Sequence, residues 1–491
     1  MSRMVVACLF GIEGVWIFVY NETDKLGWKW RQKMKIGKII RGMISILTIG
    51  SILTVFSVTD VYAGVYKAQK TSVKKEIYAK GEYSNWEGVS NVSQFADADG
   101  NFCFAYDSGK YVKVVKTKGG VPLKKTVKLK KVTSTFGAAT CDSDGYYYVV
   151  TGKKNKTGNT DVNTIFITKY DPEGKLVQSI GDNGSSSLAY YYDNSFYTKT
   201  PFDAGTCDVA INGEYLAVNY AREMYSGHQS NSLFLVNKNT MTKVQVCEYY
   251  NSHSFAQRVI PYMDRFLLAS EGDCYDRAFT ISLADVMGTC ESQNIFDFWV
   301  KKGTLDAYDM YVLNNNFAHM GGIATAADYN AAFVATSAKS LSSAAKKEKE
   351  QLFIQIFDPQ KNLSMADSYL TTGIRSGVAG PNGNENVTNY GVRWLTDYSS
   401  KYRIENPQIV AGEDGTYIVL FERYKSGKPQ GVFYTTLDSF GNTVTKIKKI
   451  SSKASLNPYE MPVYIDGTVY WAGNCTTGKA RNIYIHSLHL K

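Results

Sequence analysis

The chain is poor in the residues that usually announce chemistry. It has 5 His among 491 residues. So few imidazoles exclude a His-rich metal centre or several catalytic histidines. It has 8 Cys and no Cys-x-x-Cys pair. Seven of them follow residue 63: Cys103, Cys141, Cys207, Cys247, Cys274, Cys290 and Cys475. An odd number at wide spacing argues against a disulfide framework and for buried thiols acting as small hydrophobes. Cys274–Cys290 is the one bridge the pattern suggests. Amphipathic helical periodicity is scarce after residue 64. No GxSxG, HExxH, P-loop or dinucleotide fingerprint occurs. No reaction is therefore named by a motif.

What is present is tyrosine, 36 residues of it, and a formal charge of +10. Part of that charge belongs to a leader. From Met34 the chain reads MKIGKIIRGMISILTIGSILTVFSVTDVYAG. Lys35, Lys38 and Arg41 form a basic n-region, Met43 to Val58 an apolar h-region, and Val61 and Ala63 suit the −3 and −1 positions of a cleavage site. Residues 34–63 are thus expected to be a secretory signal peptide, with residues 64–491 as one mature domain that is secreted or held at the cell surface. Residues 1–33 are an early-called start or an extra apolar segment. Met4–Tyr20 is apolar but interrupted by Glu13, and falls short of the ~20 residues a spanning helix needs. No membrane span is expected in the mature chain. Lys+Arg and Asp+Glu number 55 and 45 overall and 8 and 4 within residues 1–63, which leaves 47 and 41, a net charge of +6. Nucleic acid is not an expected partner at that value.

Beyond residue 64, short runs rich in Val, Ile, Tyr and Phe alternate with Gly, Asn and Asp, as strands alternate with turns. One submotif is strand–turn–strand: FADADGNFCFAY, TCDSDGYYYVV, DVAINGEYLAVNY, VIPYMDRFLLAS, IVAGEDGTYIVLF and PVYIDGTVYWAG, with a degraded copy around Asp328. Their Asn-Gly and Asp-Gly pairs reach the positive φ that two-residue hairpins need. A second submotif follows in IFITKYDPEGKLVQS, LFLVNKNTMTKVQV, LFIQIFDPQKNLSM and VFYTTLDSFGNTVT. Together they make four antiparallel strands per unit. Seven units fit, at roughly 92–133, 137–181, 205–250, 256–312, 320–370, 406–450 and 460–490. The expected fold is all-β, a seven-bladed β-propeller, with six or eight blades and a β-sandwich as alternatives. The last unit holds three strands, and Val73–Ala79 is the expected fourth. Ser337–Gln351 reads as an insertion and Thr371–Gly391 as a long loop.

In a four-stranded meander the second-to-third loops and the inter-blade links share one face. Here they are long and carry the unusual residues. AREMYSGHQSN supplies Arg222, Tyr225, His228 and Gln229, and NSHSFAQR supplies His253, Gln257 and Arg258. EGDCYDR supplies Asp273 and Arg277, NNNFAHMGG supplies His319, and GVRWLTDYSSKYR supplies Arg393 and Trp394. The segments GHQSN, HSFAQR, GDCYDRA and RWLTDY give the chain a resemblance to secreted bacterial β-propeller proteins of uncharacterised function. That resemblance implies the fold and no particular activity.

Three functions fit this face. Aromatic and arginine side chains over a rigid scaffold suit non-catalytic binding of a glycan or cell-wall polymer. A protein-interaction scaffold would use the same surface. A metal-assisted polysaccharide lyase would draw on His228, Gln229, His253 and His319 for a divalent cation, with Arg258 or Arg277 holding the substrate carboxylate. Only that last reading calls for a cofactor. Asp97-x-Asp99-Gly and Asp142-x-Asp144-Gly resemble calcium-loop fragments but lack the downstream Glu, so they read as turns. Lys110–Lys131 is dense in lysine. It reads as an edge strand protected from aggregation, with anionic-polymer binding as the functional alternative.

Overall fold

The computed structural model describes residues 4–11, 14–21, 64–80, 88–184, 194–202, 205–244, 249–272, 278–297, 318–339, 350–363, 375–376, 388–389, 391–474 and 481–490. The chain divides into two units, residues 1–61 and 62–491. In the first, Met4–Gly11 pairs antiparallel with Gly14–Asn21, with Phe10 opposite Val15. The apolar run is thus a hairpin, and no described helix is long and apolar enough to cross a membrane. Residues 34–63 lie outside the described residues.

The second unit is a seven-bladed β-propeller, each blade a four-stranded antiparallel meander. Blade 1 runs Val92–Ala96, Phe102–Asp107, Tyr111–Lys118 and Val121–Lys130 from inside to outside. Blade 2 is Thr135–Cys141, Tyr147–Gly152, Ile165–Tyr170 and Leu176–Asp182. Blade 3 is Cys207–Asn212, Tyr215–Met224, Gln229–Asn237 and Thr242–Lys243, with Thr198–Pro201 pairing the far end of its second strand. Blade 4 is Gln257–Tyr262, Arg265–Gly272, Ala278–Ala284 and Cys290–Asp297. Blade 5 is Ala318–Thr325, Ala331–Ser337, Gln351–Phe357 and Val392–Trp394. Blade 6 is Tyr402–Ala411, Tyr417–Lys425, Lys428–Leu437 and Thr443–Ser451. Blade 7 is Val463–Ile465, Thr468–Asn474 and Asn482–His489, completed by Val65–Lys74.

Ring closure therefore uses the start of the domain, as expected, but through Val65–Lys74 instead of Val73–Ala79. Val65 pairs His489 and Lys70 pairs Tyr484. Tyr66 of this strand stacks on His486, which stacks on Trp471 at 5.1 Å between centroids. The closing strand is thus held by ladder hydrogen bonds and by a buried aromatic stack. Tyr78–Lys80 instead pairs Gly88–Ser90 ahead of blade 1.

Blade 5 also differs from expectation. After its third strand the chain forms a short helix, Pro359–Asn362, whose N-cap Asp358 accepts from the Gln360 and Lys361 amides. Its outer strand comes from Val392–Trp394, beyond the Gly/Asn-rich stretch. The Asp-Pro pair at 358–359 gives the reason: it caps and opens a helix turn and so cannot continue a hairpin.

Turn chemistry follows two schemes. At Asp466-Gly467 both residues have positive φ in a two-residue hairpin, as expected. At Asp99-Gly100 and Asp144-Gly145 only the glycine does, and the loops are longer. Asp97 N donates to Asn101 O at 2.9 Å and Gly100 N to Asp97 O at 2.9 Å. This is a three-residue loop with glycine at the left-handed position. The aspartate two residues earlier, not the Asp-Gly pair alone, organises it. Asp97 Oδ1 accepts from the Asp99 and Asn101 amides, and Asp142 Oδ1 from those of Asp144 and Tyr146. These turns account for the calcium-like fragments without a cation.

The core lies between blades. Phe279, Phe296, Phe333 and Phe353 interlock between blades 4 and 5. Tyr148, Tyr170, Tyr220, Tyr417 and Tyr434 are all buried in the blades. Much of the tyrosine content is therefore paving.

Candidate functional site

Around the axis, polar side chains of the innermost strands stitch each blade to another. Ser93 Oγ accepts from Ala139 N at 3.0 Å, and Asp208 Oδ2 from Val259 N at 2.9 Å. Glu460 Oε2 accepts from Gln94 N at 3.1 Å, while Gln94 Oε1 accepts from Ala472 N at 2.8 Å. Gln408 Nε2 donates to the carbonyl of Glu460 at 2.8 Å. Arg258 crosses this belt. Its Nε donates to Gly321 O at 3.1 Å, Nη1 to Gln257 O at 2.7 Å and Nη2 to Pro458 O at 2.6 Å. One guanidinium thereby ties blades 4, 5 and the link into blade 7.

Asp208 and Glu460 share the belt with Arg258. Burial raises the Asp208 pKa, against the pull of Arg258 and of the Val259 and Val209 amides. Burial also raises Glu460 well above the usual carboxylate range, and the Asp208 charge adds to this. Both residues are half-buried by accessible surface. The Asp208 charge thus works with burial against ionisation of Glu460. Sequence reading found Arg258 and missed these two acids and Gln94 and Gln408. Their signal was present only as polar residues on the innermost strands, a pattern that a two-sided blade does not otherwise require.

The long-loop face gathers several expected residues around blade 3. His228 lies in the turn after Tyr215–Met224, and His253 in the link into blade 4. Their rings meet edge to face at 5.4 Å. His253 N donates to Gln229 O at 2.8 Å, and its Nδ1 lies 3.1 Å from Ser252 Oγ. His253 has φ of 50°, in the left-handed region, which sets its ring toward His228. Tyr225 bonds the side chain of Asn155 and donates to Asn159 O at 3.3 Å, tethering this turn to the blade 2 loop. Two residues not singled out from the sequence join them. Phe196 and Tyr250 meet edge to face at 5.9 Å, and the 225–226 turn bonds the backbone of Ser195 and Tyr197.

Other expected residues lie elsewhere. Arg222 and Gln257 belong to strands, not loops, and both are fully buried. The strands run farther toward this face than the sequence suggested, since Arg222 and Gln257 near their ends find hydrogen-bond partners inside the protein. Arg222 Nε donates to Ser230 Oγ at 2.9 Å and Nη1 to Thr198 Oγ1 at 3.2 Å. Gln257 Oε1 accepts from Thr206 Oγ1 at 3.0 Å, and its Nε2 donates to Ser254 Oγ at 2.8 Å. Gln229 starts the third strand and is buried. Arg393 and Trp394 sit on the outer strand of blade 5, not on an inter-blade link. Trp394 packs on Phe353 at 5.3 Å and Arg393 donates to Asn442 at 2.8 Å. His319 is the second residue of the innermost strand of blade 5, its Nε2 3.6 Å from Glu350. Asp273, Arg277 and Cys274 lie outside the described residues.

His228 and His253 are thus brought together, and His319 pairs with a different partner. Among the described residues no group of three or more His, Cys, Asp or Glu is placed to hold a metal ion.

These features define the chain as a seven-bladed propeller with a hydrogen-bonded polar belt at the axis and an aromatic–imidazole patch on the loop face over blade 3. No known protein family and no curated protein matches the sequence. Among solved structures it is similar to a protein of unknown function from Dyadobacter fermentans DSM 18053, at 10% identity and TM-score 0.37, covering 77% of this chain and 99% of that one. It is similar to the subtype N10 neuraminidase-like protein of A/little yellow-shouldered bat/Guatemala/060/2010 at 7% identity and TM-score 0.37, covering 74% and 98%. Trypanosoma rangeli sialidase shows 11% identity and TM-score 0.36 over 83% of this chain and 72% of that one. The reading of the site rests on the chain's own geometry.

Proposed function

We propose that the propeller binds a glycan on its long-loop face, over blade 3, without cleaving it. The observation that carries this is the patch of four rings, Phe196, Tyr250, His228 and His253. They form two edge-to-face pairs and all keep accessible surface. Such rings offer flat apolar area to sugar C–H groups, while imidazole and phenol tips read hydroxyls. The charged Arg222 beneath is buried, so the patch favours polar but uncharged contact. The sequence of residues 34–63 supports export, and N-terminal sequencing of the purified natural protein tests it: a start near Gly64 is expected, and an intact Met34 would refute cleavage.

A glycan array probed with the 64–491 chain tests binding. A hit should weaken about tenfold in His228→Ala or Tyr250→Ala, the value of one aromatic contact of roughly 1–1.5 kcal/mol. A blank array, or a hit indifferent to both substitutions, refutes the site. One equivalent of tightly held divalent metal, with unsaturated-uronide absorbance on acidic glycans, would replace binding with lyase chemistry.

A further inference from the structure

The lysine-dense segment of blade 1 has a second part that only the fold brings to it. Residues 108–141 contain no Asp or Glu, and neither do residues 64–75. The first stretch holds the two outer strands of blade 1 and runs on into the innermost strand of blade 2; the second holds the closing outer strand of blade 7. Cα atoms of Val65–Lys74 and Val121–Lys130 approach within 8 Å. The side wall between these two blades is thus lined by both segments.

They hold thirteen lysines between them. Lys75 and Lys131 pair with Asp107, and Lys116 pairs with Asp97 and Asp99. The other ten, among them Lys67, Lys70, Lys113, Lys124, Lys128 and Lys130, make no ion pair among the described residues. Edge protection explains lysine on an outer strand. It does not explain Lys113, which lies on the third strand directly opposite Lys128. Like charges at such a position repel and destabilise the sheet. Val112, Val114, Val127 and Leu129 turn into the core toward blade 2, so Lys113 and Lys128 point the other way, toward blade 7. On the blade 2 side, Asp171 is occupied by its own turn amides.

We propose that this wall binds a linear phosphate-repeat polymer without bases, lying along the groove between blades 7 and 1. The wall has no arginine, so it lacks the planar fork that grips single carboxylates or phosphates bidentately; its lysines are point charges on flexible stems, which suit a polymer of dense, closely repeated charge such as a phosphate chain. The exposed large apolar side chains of the two segments are Val65, Val121, Leu123 and Val132, not the aromatic platforms that hold single-stranded nucleic acid. Lys128 and Lys130 stand about 7 Å apart along one strand face, a spacing that an extended phosphate chain can follow. This site is separate from the loop-face patch and does not depend on it.

The test measures binding of sodium polyphosphate, polygalacturonate and single-stranded DNA to the 64–491 chain at several salt concentrations. Polyphosphate should bind tightest, with affinity falling steeply in salt. Lys113→Gln/Lys128→Gln/Lys130→Gln should weaken it about 100-fold at 0.1 M salt and flatten the log–log slope by about 2, at ~0.7 per lost contact. The same variant should melt no lower than the parent, since it removes a cross-strand repulsion, which separates lost binding from lost folding. Lys446→Gln/Lys448→Gln/Lys449→Gln on the outer strand of blade 6, where Lys448 faces Tyr434 and Lys449 faces Phe433, should leave binding intact. Equal loss in both variants, no binding of polyphosphate, or tighter binding of polygalacturonate or DNA would overturn the proposal.

Discussion

Replacing Glu422 by Gln should make the propeller more stable at pH 8 and leave it nearly unchanged at pH 4.5. Glu422 lies near the end of the second strand of blade 6 and is 5% exposed. Its Oε1 accepts from Leu456 N at 2.7 Å, and its Oε2 from Tyr424 Oη at 2.9 Å. Glu271 plays the same part in blade 4, accepting from Met320 N at 3.2 Å. Each carboxyl thus fastens its blade to the segment leading on from it. Burial pushes the Glu422 pKa from 4.5 to about 7, outweighing the Leu456, Tyr424 and Asn406 hydrogen bonds, and Glu405 adds to the rise. Between those two values the folded chain binds more protons than the unfolded one, so stability falls as pH rises through the window. The full shift is worth about 3 kcal/mol. A glutamine keeps an acceptor for Leu456 and carries no charge. Urea denaturation at pH 4.5, 6 and 8 should show the parent and the variant diverging by up to about 3 kcal/mol in the variant's favour. Parallel curves, or a variant weaker at every pH, would refute a buried carboxyl protonated at neutrality.

His486 should act in the opposite sense on the acid side. It is buried against Tyr66 and Trp471, which also touch each other, and burial lowers its pKa from 6.5 to about 3. The unfolded chain binds the extra proton in that window, so stability is lost as pH falls from 6.5 toward 3, and His486→Phe should flatten that acid limb of a denaturation-versus-pH series. Lys238→Met should cost about 3–5 kcal/mol by leaving Asp142 buried without its cation; the two lie 3.1 Å apart across blades 2 and 3, and a Lys238→Met/Asp142→Asn double variant should recover part of the loss. Leu488→Ala, in the ladder that receives the closing strand, should cost about 2–5 kcal/mol in denaturant midpoint, whereas an effect under ~0.5 kcal/mol would mean that closure contributes little to stability.

The blades were legible because each hairpin repeats one local grammar, apolar strands around an Asp- or Gly-centred turn. Asp97, Asp142 and Gly213 announce their own turns without help from the rest of the chain. Ring closure was legible as a deficit, since the last unit lacked a strand, but not in register. Lys67, Gln69 and Lys70 look like solvated tail until His489 and Tyr484 are there to pair their strand. The outer strand of blade 5 was hidden because Val392–Trp394 is remote from the hairpin it completes. The site was legible in part for the same reason. His228 and His253 flank known strands, so topology alone brought them together. Asp208, Glu460 and Gln408 meet only around the axis, through contacts between blades that no local spacing encodes. Arg222 and Gln257 carried the right chemistry for a ligand, but the burial that removes them from the surface is a property of packing.

The scarcity of histidine makes the central claim directly measurable. With 5 His in the whole chain, the ring Cε1–H resonances can be assigned one by one by substitution and followed as a glycan identified on the array is added. The account predicts that the His228 and His253 signals shift together and saturate, while His486, buried in the closing blade, stays still. A bound glycan that leaves both of those signals unmoved would contradict it.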